Sequence, residues 1–257
     1  MPRILVTNDD GYRSEGILAL AVALRAIGEV TIVAPMTEAS AIGHALTLRH
    51  PLRLERIDDH TFGVDGTPTD CVNVGITQVF NNVLPDLVVS GINKGWNVGD
   101  DITYSGTVAG ALEGALLGVA SIAVSLRATR GDYDFSFAAR AAATLADGML
   151  RRPLPARTFL NINVPKGEPK GLRVTVQAKR NHVTSVAERH DPKGRPYYWI
   201  EEGQNEWEPH DRSDYQAVRD GYVSVTPLQP DLTAYDALAL VEQLASENDR
   251  ENVRQLR

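Results

Sequence analysis

The sequence predicts an α/β fold with a mainly parallel sheet, and three observations carry that expectation. Apolar strand signals alternate with helical patterns through roughly the first 165 residues, as in successive βα units. Several of these strand signals run into polar segments rich in Asp, Asn and Gly, as where the loops of an open sheet gather around a ligand. The chain has 257 residues, 43% hydrophobic and 23% charged, enough for one large domain or a core with an elaborated second lobe.

Taken in order, Arg3 to Thr7 is the first strand. Ser14 caps a helix whose apolar positions Ile17, Leu20, Ala21, Leu24 and Ile27 keep the helical period, with Gly28 as its stop. Val30 to Ala34 is a strand halted by Pro35. Ala45 to Leu48 and Leu52 to Ile57 read as a hairpin-like insertion, followed by a helix over Asp70 to Phe80. Leu87 to Ser90 is a buried strand ended by Gly91. Ser105 to Gly118 reads as a helix, Ile122 to Leu126 as a strand, Phe135 to Leu150 as a helix and Thr158 to Val164 as a strand. Gly106, Gly110, Gly114 and Gly118 recur every fourth residue. An interior glycine costs up to about 1 kcal/mol relative to alanine, so such a stripe implies close approach of this helix to the sheet or to another helix.

Beyond Pro165 the pattern turns polar and short-period, with alternation over Val174 to Gln177 and Tyr222 to Pro227. The chain is therefore divided into a core over 1–165 and a C-terminal region over 166–257 that is not an independent domain. Within the latter, 181–214 is expected to be an extended arm or β-hairpin. Tyr197, Tyr198, Trp199, Ile200 and Trp207 give it more aromatic surface than disordered segments carry. A lone two-stranded hairpin is marginal in water, so the arm implies a self-associating oligomer. Thr233 to Leu244 closes the chain as a helix, with Thr233 as N-cap and Asp236 in the capping-box position.

A net charge of -7 argues against a nucleic-acid polymer or an anionic membrane as the main ligand, and an anionic substrate would need a local cation. The single cysteine, Cys71, excludes an intramolecular disulfide framework and a cysteine-rich zinc site. It points to a reducing cytoplasm, and reads as a small buried residue rather than a nucleophile. No apolar stretch approaches the roughly 20 residues that span a bilayer, and the expectation is a soluble, unexported protein. P-loop, dinucleotide-binding and serine-hydrolase motifs are absent from strand–turn–helix contexts.

Four clusters at predicted strand ends carry the chemistry. Asp9, Asp10 and Gly11 follow the first strand, and adjacent carboxylates there suit a hard divalent ion, although the same residues also make an ordinary turn. Ser40 follows the second strand and offers a hydroxyl. Asn93 opens a Gly- and Asn-rich loop running through Asn97, Asp100 and Asp101, and its carbonyl oxygen is of the kind such cations accept. Ser105, Gly106 and Thr107 open a helix whose N-terminus is a potential anion site, or Ser105 is only an N-cap. Of six histidines without metal-ligand spacing, His44, near Ser40, is the one candidate proton donor.

VTNDDG at the N-terminus, GTPTDC at Gly66 to Cys71, SGINKGWNVGDDITYSGTVAGALEG and GYVSVTPLQPDLT together resemble the SurE (survival protein E) family of metal-dependent nucleotidases. The resemblance implies a Rossmann-like three-layer core and removal of phosphate from nucleoside 5′- and 3′-monophosphates. It implies one divalent cation, Mg²⁺ or Mn²⁺, per active site, with ligands at Asp9, Asp10, Ser40 and Asn93, and phosphate contacts from Ser105, Gly106 and Thr107, with Asn97 as a further contact. It also implies dimers or tetramers formed by exchange of C-terminal segments. Many members carry Gly after the ligand serine, where this chain has Ala41.

The expected chemistry is metal-assisted hydrolysis of a phosphomonoester, with Asp9 or Asp10 doubling as the base that orients water. A non-catalytic nucleotide sensor would use the same loops, and activity on short polyphosphate or other phosphomonoesters is a third reading.

Overall fold

The computed structural model describes residues 1–128 and 131–255, with side chains described outside 180–184, 201–205 and 247–255. Strand β1 (Arg3–Thr7) is covered on both faces. Ile4 and Val6 join one apolar cluster and Leu5 another, as expected of a parallel strand between two helical layers. Helix α1 (Glu15–Leu24), capped by Ser14, buries Ile17, Leu20, Ala21 and Leu24 in the first cluster and leads to β2 (Glu29–Pro35). An antiparallel pair follows, β3 (Leu54–Arg56) and β4 (Thr61–Val64). Thr67 then closes a capping box with Asp70 at the start of α2 (Pro68–Val74), which continues as a π-type turn to Val79.

Strand β5 (Leu87–Lys94), α3 (Gly106–Leu116), β6 (Ser121–Leu126), α4 (Ser136–Arg151) and β7 (Phe159–Val164) complete the βα alternation. Helices α1 and α4 pack in the first cluster, while α2 and α3 face the opposite side of the sheet. The C-terminal region adds β8 (Leu172–Val174), β9 (Arg180–His190), β10 (Pro196–Trp207), α5 (Asp214–Arg219), β11 (Val223–Leu228) and α6 (Leu238–Gln255). Among the described residues the main sheet has nine strands in the order β3-β4-β2-β1-β5-β6-β7-β11-β8. The run from β4 to β7 is parallel, with β3 and β11 antiparallel to their neighbours and β8 parallel to β11. Strands β9 and β10 form a separate antiparallel ribbon. The α/β fold and the C-terminal hairpin are thus as expected.

Several local expectations need correction. Ala45 to Leu48 is not a strand; its place as partner of 54–56 is taken by Thr61–Val64, whose mixed pattern TFGV hid a buried strand. Gly91 does not end β5. It sits at φ +137° with room for no side chain, since a Cβ would lie 2.4 Å from the Val124 carbonyl oxygen, and the strand runs on to Lys94 past a register shift. Helix α5, only six residues long, was not expected. Thr233 does not cap the last helix: its amide donates to Asp231 (2.9 Å), a 3-10 turn spans Tyr235–Ala237, and α6 begins at Leu238. Among the described residues no helix is long and apolar enough to cross a membrane.

The glycine stripe divides by role. Added Cβ atoms at Gly106, Gly110 and Gly114 would come within 2.8 Å of Asp9, Ser90 and Ser121 respectively, so these three let α3 lie against the sheet. Gly118 lies beyond the helix end at φ +84° and meets nothing within 4 Å; it terminates the helix instead.

Candidate active site

Strand β1 pairs with β2 on one side and β5 on the other, so the chain winds away from it in both directions. The loops beyond these strands separate there and leave a crevice. A cavity of about 800 Å³ opens at this place, lined by six of the sequence-predicted residues: Asp9, Asp10, Ser40, Asn93, Asn97 and Ser105. Gly106 and Thr107 lie just behind it.

The two carboxylates are held by the turn that follows β1. Asn8 is buried; its Oδ1 accepts from the Gly11 amide (3.1 Å) and its Nδ2 donates to the Gly11 carbonyl (3.0 Å) and Ser14 Oγ (2.8 Å). Asp9 is 5% exposed, and Thr107 Oγ1 donates to its Oδ1 at 2.5 Å. Only glycine at position 106 allows this approach, because a Cβ there would sit 2.8 Å from Asp9 Cβ. Burial raises the pKa of Asp9 despite that hydrogen bond. Burial, with the charge of Asp9 next to it, pushes Asp10 up to about 6, against a lowering influence of Lys94.

Asp10 Oδ2 is buried and makes no hydrogen bond. An orphaned carboxylate oxygen beside a second strained carboxylate fits a bound cation, which would favour both charges at once. Among the described residues no three His, Cys, Asp or Glu side chains converge as a metal cluster. Two carboxylates with the neutral oxygens of Ser40 and Asn93 on the same cavity wall are a chemistry that suits a hard ion. The Asn93 Nδ2 donates to the Gly95 carbonyl (3.1 Å), so its Oδ1 is the acceptor end of the amide that this bond does not use.

Ser40 reaches the crevice on an exposed loop tied to β1 by the Ala39 amide, which donates to the Asp9 carbonyl (2.8 Å). Its hydroxyl donates to Glu38 Oε1 (2.6 Å). Ala41 occupies φ +54°, the left-handed region that favours glycine, which is why glycine suits that position. Ser105 is the N-cap of α3, its Oγ accepting from the Val108 amide (3.1 Å). Asn97 is buried and fully engaged on its backbone, giving its amide to Asn163 Oδ1 (2.7 Å) and receiving Asn161 and Asn163 at its carbonyl (2.9 Å each). Its Nδ2 donates to Ser125 Oγ (2.8 Å). Thr107 and Asn97 therefore already have partners within the protein.

His44 does not line the cavity. Its Nε2 meets Glu113 Oε2 of α3 at 2.7 Å, and Asn73 donates to the other Glu113 oxygen at 2.7 Å. Burial raises the pKa of Glu113, but those two bonds outweigh it and hold it low. Sequence reasoning missed four charged residues of the cavity wall: Arg13, Glu38, Lys94 and Asp101. Their proximity to DDG and INKG was the only available signal. Four carboxylates thus face two cationic side chains, so an anionic ligand is repelled unless a cation joins it.

Fold and site together define a doubly wound α/β protein with an acidic, oxygen-lined crevice at its switch point, closed on one side by a helix N-terminus. The profile described as Survival protein SurE matches residues 4–184. The chain belongs to the SurE family. A protein named 5′-nucleotidase SurE from Geotalea uraniireducens is 50% identical over 94% of this chain and 98% of its own length. One of the same name from Geobacter sulfurreducens is 51% identical over 93% and 92%. The crystal structure of the SurE protein from Aquifex aeolicus superposes with a TM-score of 0.85 at 44% identity, over 95% of this chain and all of that one.

Proposed function

We propose that this protein is a metal-dependent 5′-nucleotidase, which hydrolyses nucleoside 5′-monophosphates, and 3′-monophosphates as well, to nucleoside and phosphate. The observation that carries the reading is the partnerless Asp10 Oδ2 beside Asp9 on the floor of a cavity with room for a nucleotide. Support comes from relatives named 5′-nucleotidase SurE at about half identity over nearly the whole chain.

Asp9, Asp10, Ser40 and Asn93 would hold one divalent cation per subunit, Mg²⁺ or Mn²⁺. When bound, such an ion supplies Lewis acidity toward a phosphoryl oxygen and toward water. Asp9, oriented by Thr107, and the partnerless Asp10 Oδ2 would face the cation together, and one of the two carboxylates would also orient the attacking water and accept its proton. Ser105, Gly106 and Thr107 present the N-terminal end of α3 to the phosphate, with Asn97 beside it; amides there stabilise the charge that builds on the phosphoryl oxygens. Arg13 and Lys94 add positive charge at the cavity wall.

Residues 166–257 belong to this unit rather than forming a second domain. The exposed Tyr197, Tyr198, Trp199 and Ile200 of the arm and Leu240, Val241 and Leu244 of α6 suit a homodimer or homotetramer. The lone buried Cys71, whose thiol burial pushes well above its ordinary pKa, suits the cytoplasm.

Phosphate release from a panel of nucleoside monophosphates, by metal-stripped protein with and without added Mg²⁺ or Mn²⁺, tests the reading. Release that requires metal is expected. Nucleotide binding without release would overturn it in favour of a sensor.

A further inference from the structure

The loop that carries Asn97 is gripped from behind by residues more than seventy positions away in sequence. Trp207, the last residue of β10 at the root of the arm, stacks on Tyr215 of α5 with ring centres 4.1 Å apart and planes 11° from parallel. Tyr215 in turn meets Trp96 at 5.3 Å and 48°. Trp96 lines the cavity and carries the Arg127 guanidinium 4.6 Å from its ring centre.

The same region holds the loop backbone at Gly99. Trp207 leaves no space for a side chain there, since a Cβ would lie 2.6 Å from its Cζ3 and 2.9 Å from the Ala178 carbonyl. Buried Asp214 accepts from the Gly99 amide (3.0 Å), the Ala178 amide (2.9 Å) and the Tyr215 amide (2.7 Å). Gln177 Nε2 donates to the Gly99 carbonyl (3.2 Å). Amide, carbonyl and open face of one glycine are therefore all engaged by the C-terminal region.

We infer that the Trp207–Tyr215–Trp96 stack, with the Asp214 carboxylate beneath it, sets the position of the active-site loop, and that Trp207 is a positioning residue for the nucleotidase site. Gly95 and Gly99, at φ +140° and +56°, make this loop intrinsically free. Bracing from outside is what narrows it to one conformation. Because Trp207 ends the arm, whatever engages the arm acts on Trp96 and Gly99, the residues on either side of Asn97's sheet-bound segment, through this stack. The catalytic consequence rests on the proposed activity, whereas the effect on the loop does not.

Hydrogen exchange of the full-length protein separates this role from general packing. In Trp207→Ala the amides of 95–101 should exchange about fivefold faster, in line with the loss of aromatic contacts, while those of β1 and β6 keep their rates. Trp207→Phe should restore most of the protection. In the same variants KM for a nucleoside monophosphate should rise about fivefold in Trp207→Ala with a smaller fall in kcat, and return toward wild type in Trp207→Phe. Unchanged exchange in the loop, or acceleration spread evenly over β1 and β6, overturns the inference. Should Trp207→Ala fail to fold, Tyr215→Leu decides by the same two criteria. A wild-type protein without hydrolysis but with the local exchange effect would overturn the proposed activity alone; normal hydrolysis with an indifferent loop would overturn this inference alone.

Discussion

On one wall of the crevice Asp9, Thr107 and Asn97 are buried: Thr107 of α3 donates to Asp9 across 98 positions of chain, and Asn97 bonds to Asn163 of β7 and Ser125 of β6. On the other wall Ser40 and Glu38 are exposed and bonded to one another, on a loop held by the backbone between them and by residues that follow. Its anchors are the Ala39 amide on Asp9, the Gly43 amide on Tyr104, His44 on Glu113 and Thr47 on Asp70. The difference teaches that one half of the proposed donor set is fixed by packing and the other rests on an exposed loop. A perturbation of the buried wall has no solvent-exposed slack to absorb it, because interiors are packed like crystals.

If that contrast holds, the largest effect belongs to Asp9→Asn, which should lower metal-dependent phosphate release by about 10³-fold or more in steady-state assays while the fold persists. Gly106→Ala comes next. Its new methyl group must push α3 off Asp9, and about a 10²-fold loss of kcat/KM with a lower urea midpoint is expected.

Thr107→Val and Ser40→Ala sharpen the comparison directly. The first removes the bond that orients Asp9 and should weaken cation binding, measured by calorimetry, about 10- to 100-fold. The second removes an exposed neutral oxygen and should cost less than Thr107→Val; the reverse order would break the contrast between the walls.

The acidic pair also predicts a pH signature. Both carboxyls have folded-state pKa values above the ordinary 3.8, Asp10 at about 6. The contribution of Asp10 to stability in metal-free protein is therefore full below the ordinary value and lost as pH rises through about 6, and that of Asp9 has the same sign. Relative to wild type, Asp10→Asn should gain Tm at about pH 7.5 over about pH 4.5 in metal-free melts, and saturating Mg²⁺ should shrink that gain. The smallest effect is Ala41→Gly, which relieves a left-handed alanine and should raise stability by about 1 kcal/mol or less with activity retained.

Much of this was legible in the chain. The boundaries of β1 were read without error, because RILVT is apolar on both faces and NDDG stops it. Ser14 is legible as a cap from its place before an apolar periodic run, and for Ser105 capping is one of the two readings the sequence leaves open. The convergence of Asp9, Asp10, Ser40, Asn93 and Asn97 was also legible, since each lies at or beyond the C-terminal end of a strand of a parallel sheet, and those ends meet on one side. His44 is a candidate proton donor only through its nearness in sequence to Ser40, which says nothing of the side on which a side chain leaves the loop; the ring bonds to Glu113 instead. Arg13 and Glu38 carry no periodic or motif signal of their own, and Lys94 and Asp101 lie inside the SGINKGWNVGDD stretch without a pattern that gives them a role.

The sequence by itself determined the alternation of elements, the order of the ligand-bearing loops and the need for a cation in an acidic cavity, because these depend on periodicity, turn chemistry and charge. Tertiary structure decided the rest: that Thr107 spends its hydroxyl on Asp9, that Asp10 keeps an oxygen without a partner, and that Gly99 is held by Trp207 and Asp214. These pairs lie about a hundred residues apart along the chain. Contacts at such separation are fixed only when helices and strands have packed, since no local pattern encodes which buried donor meets which acceptor.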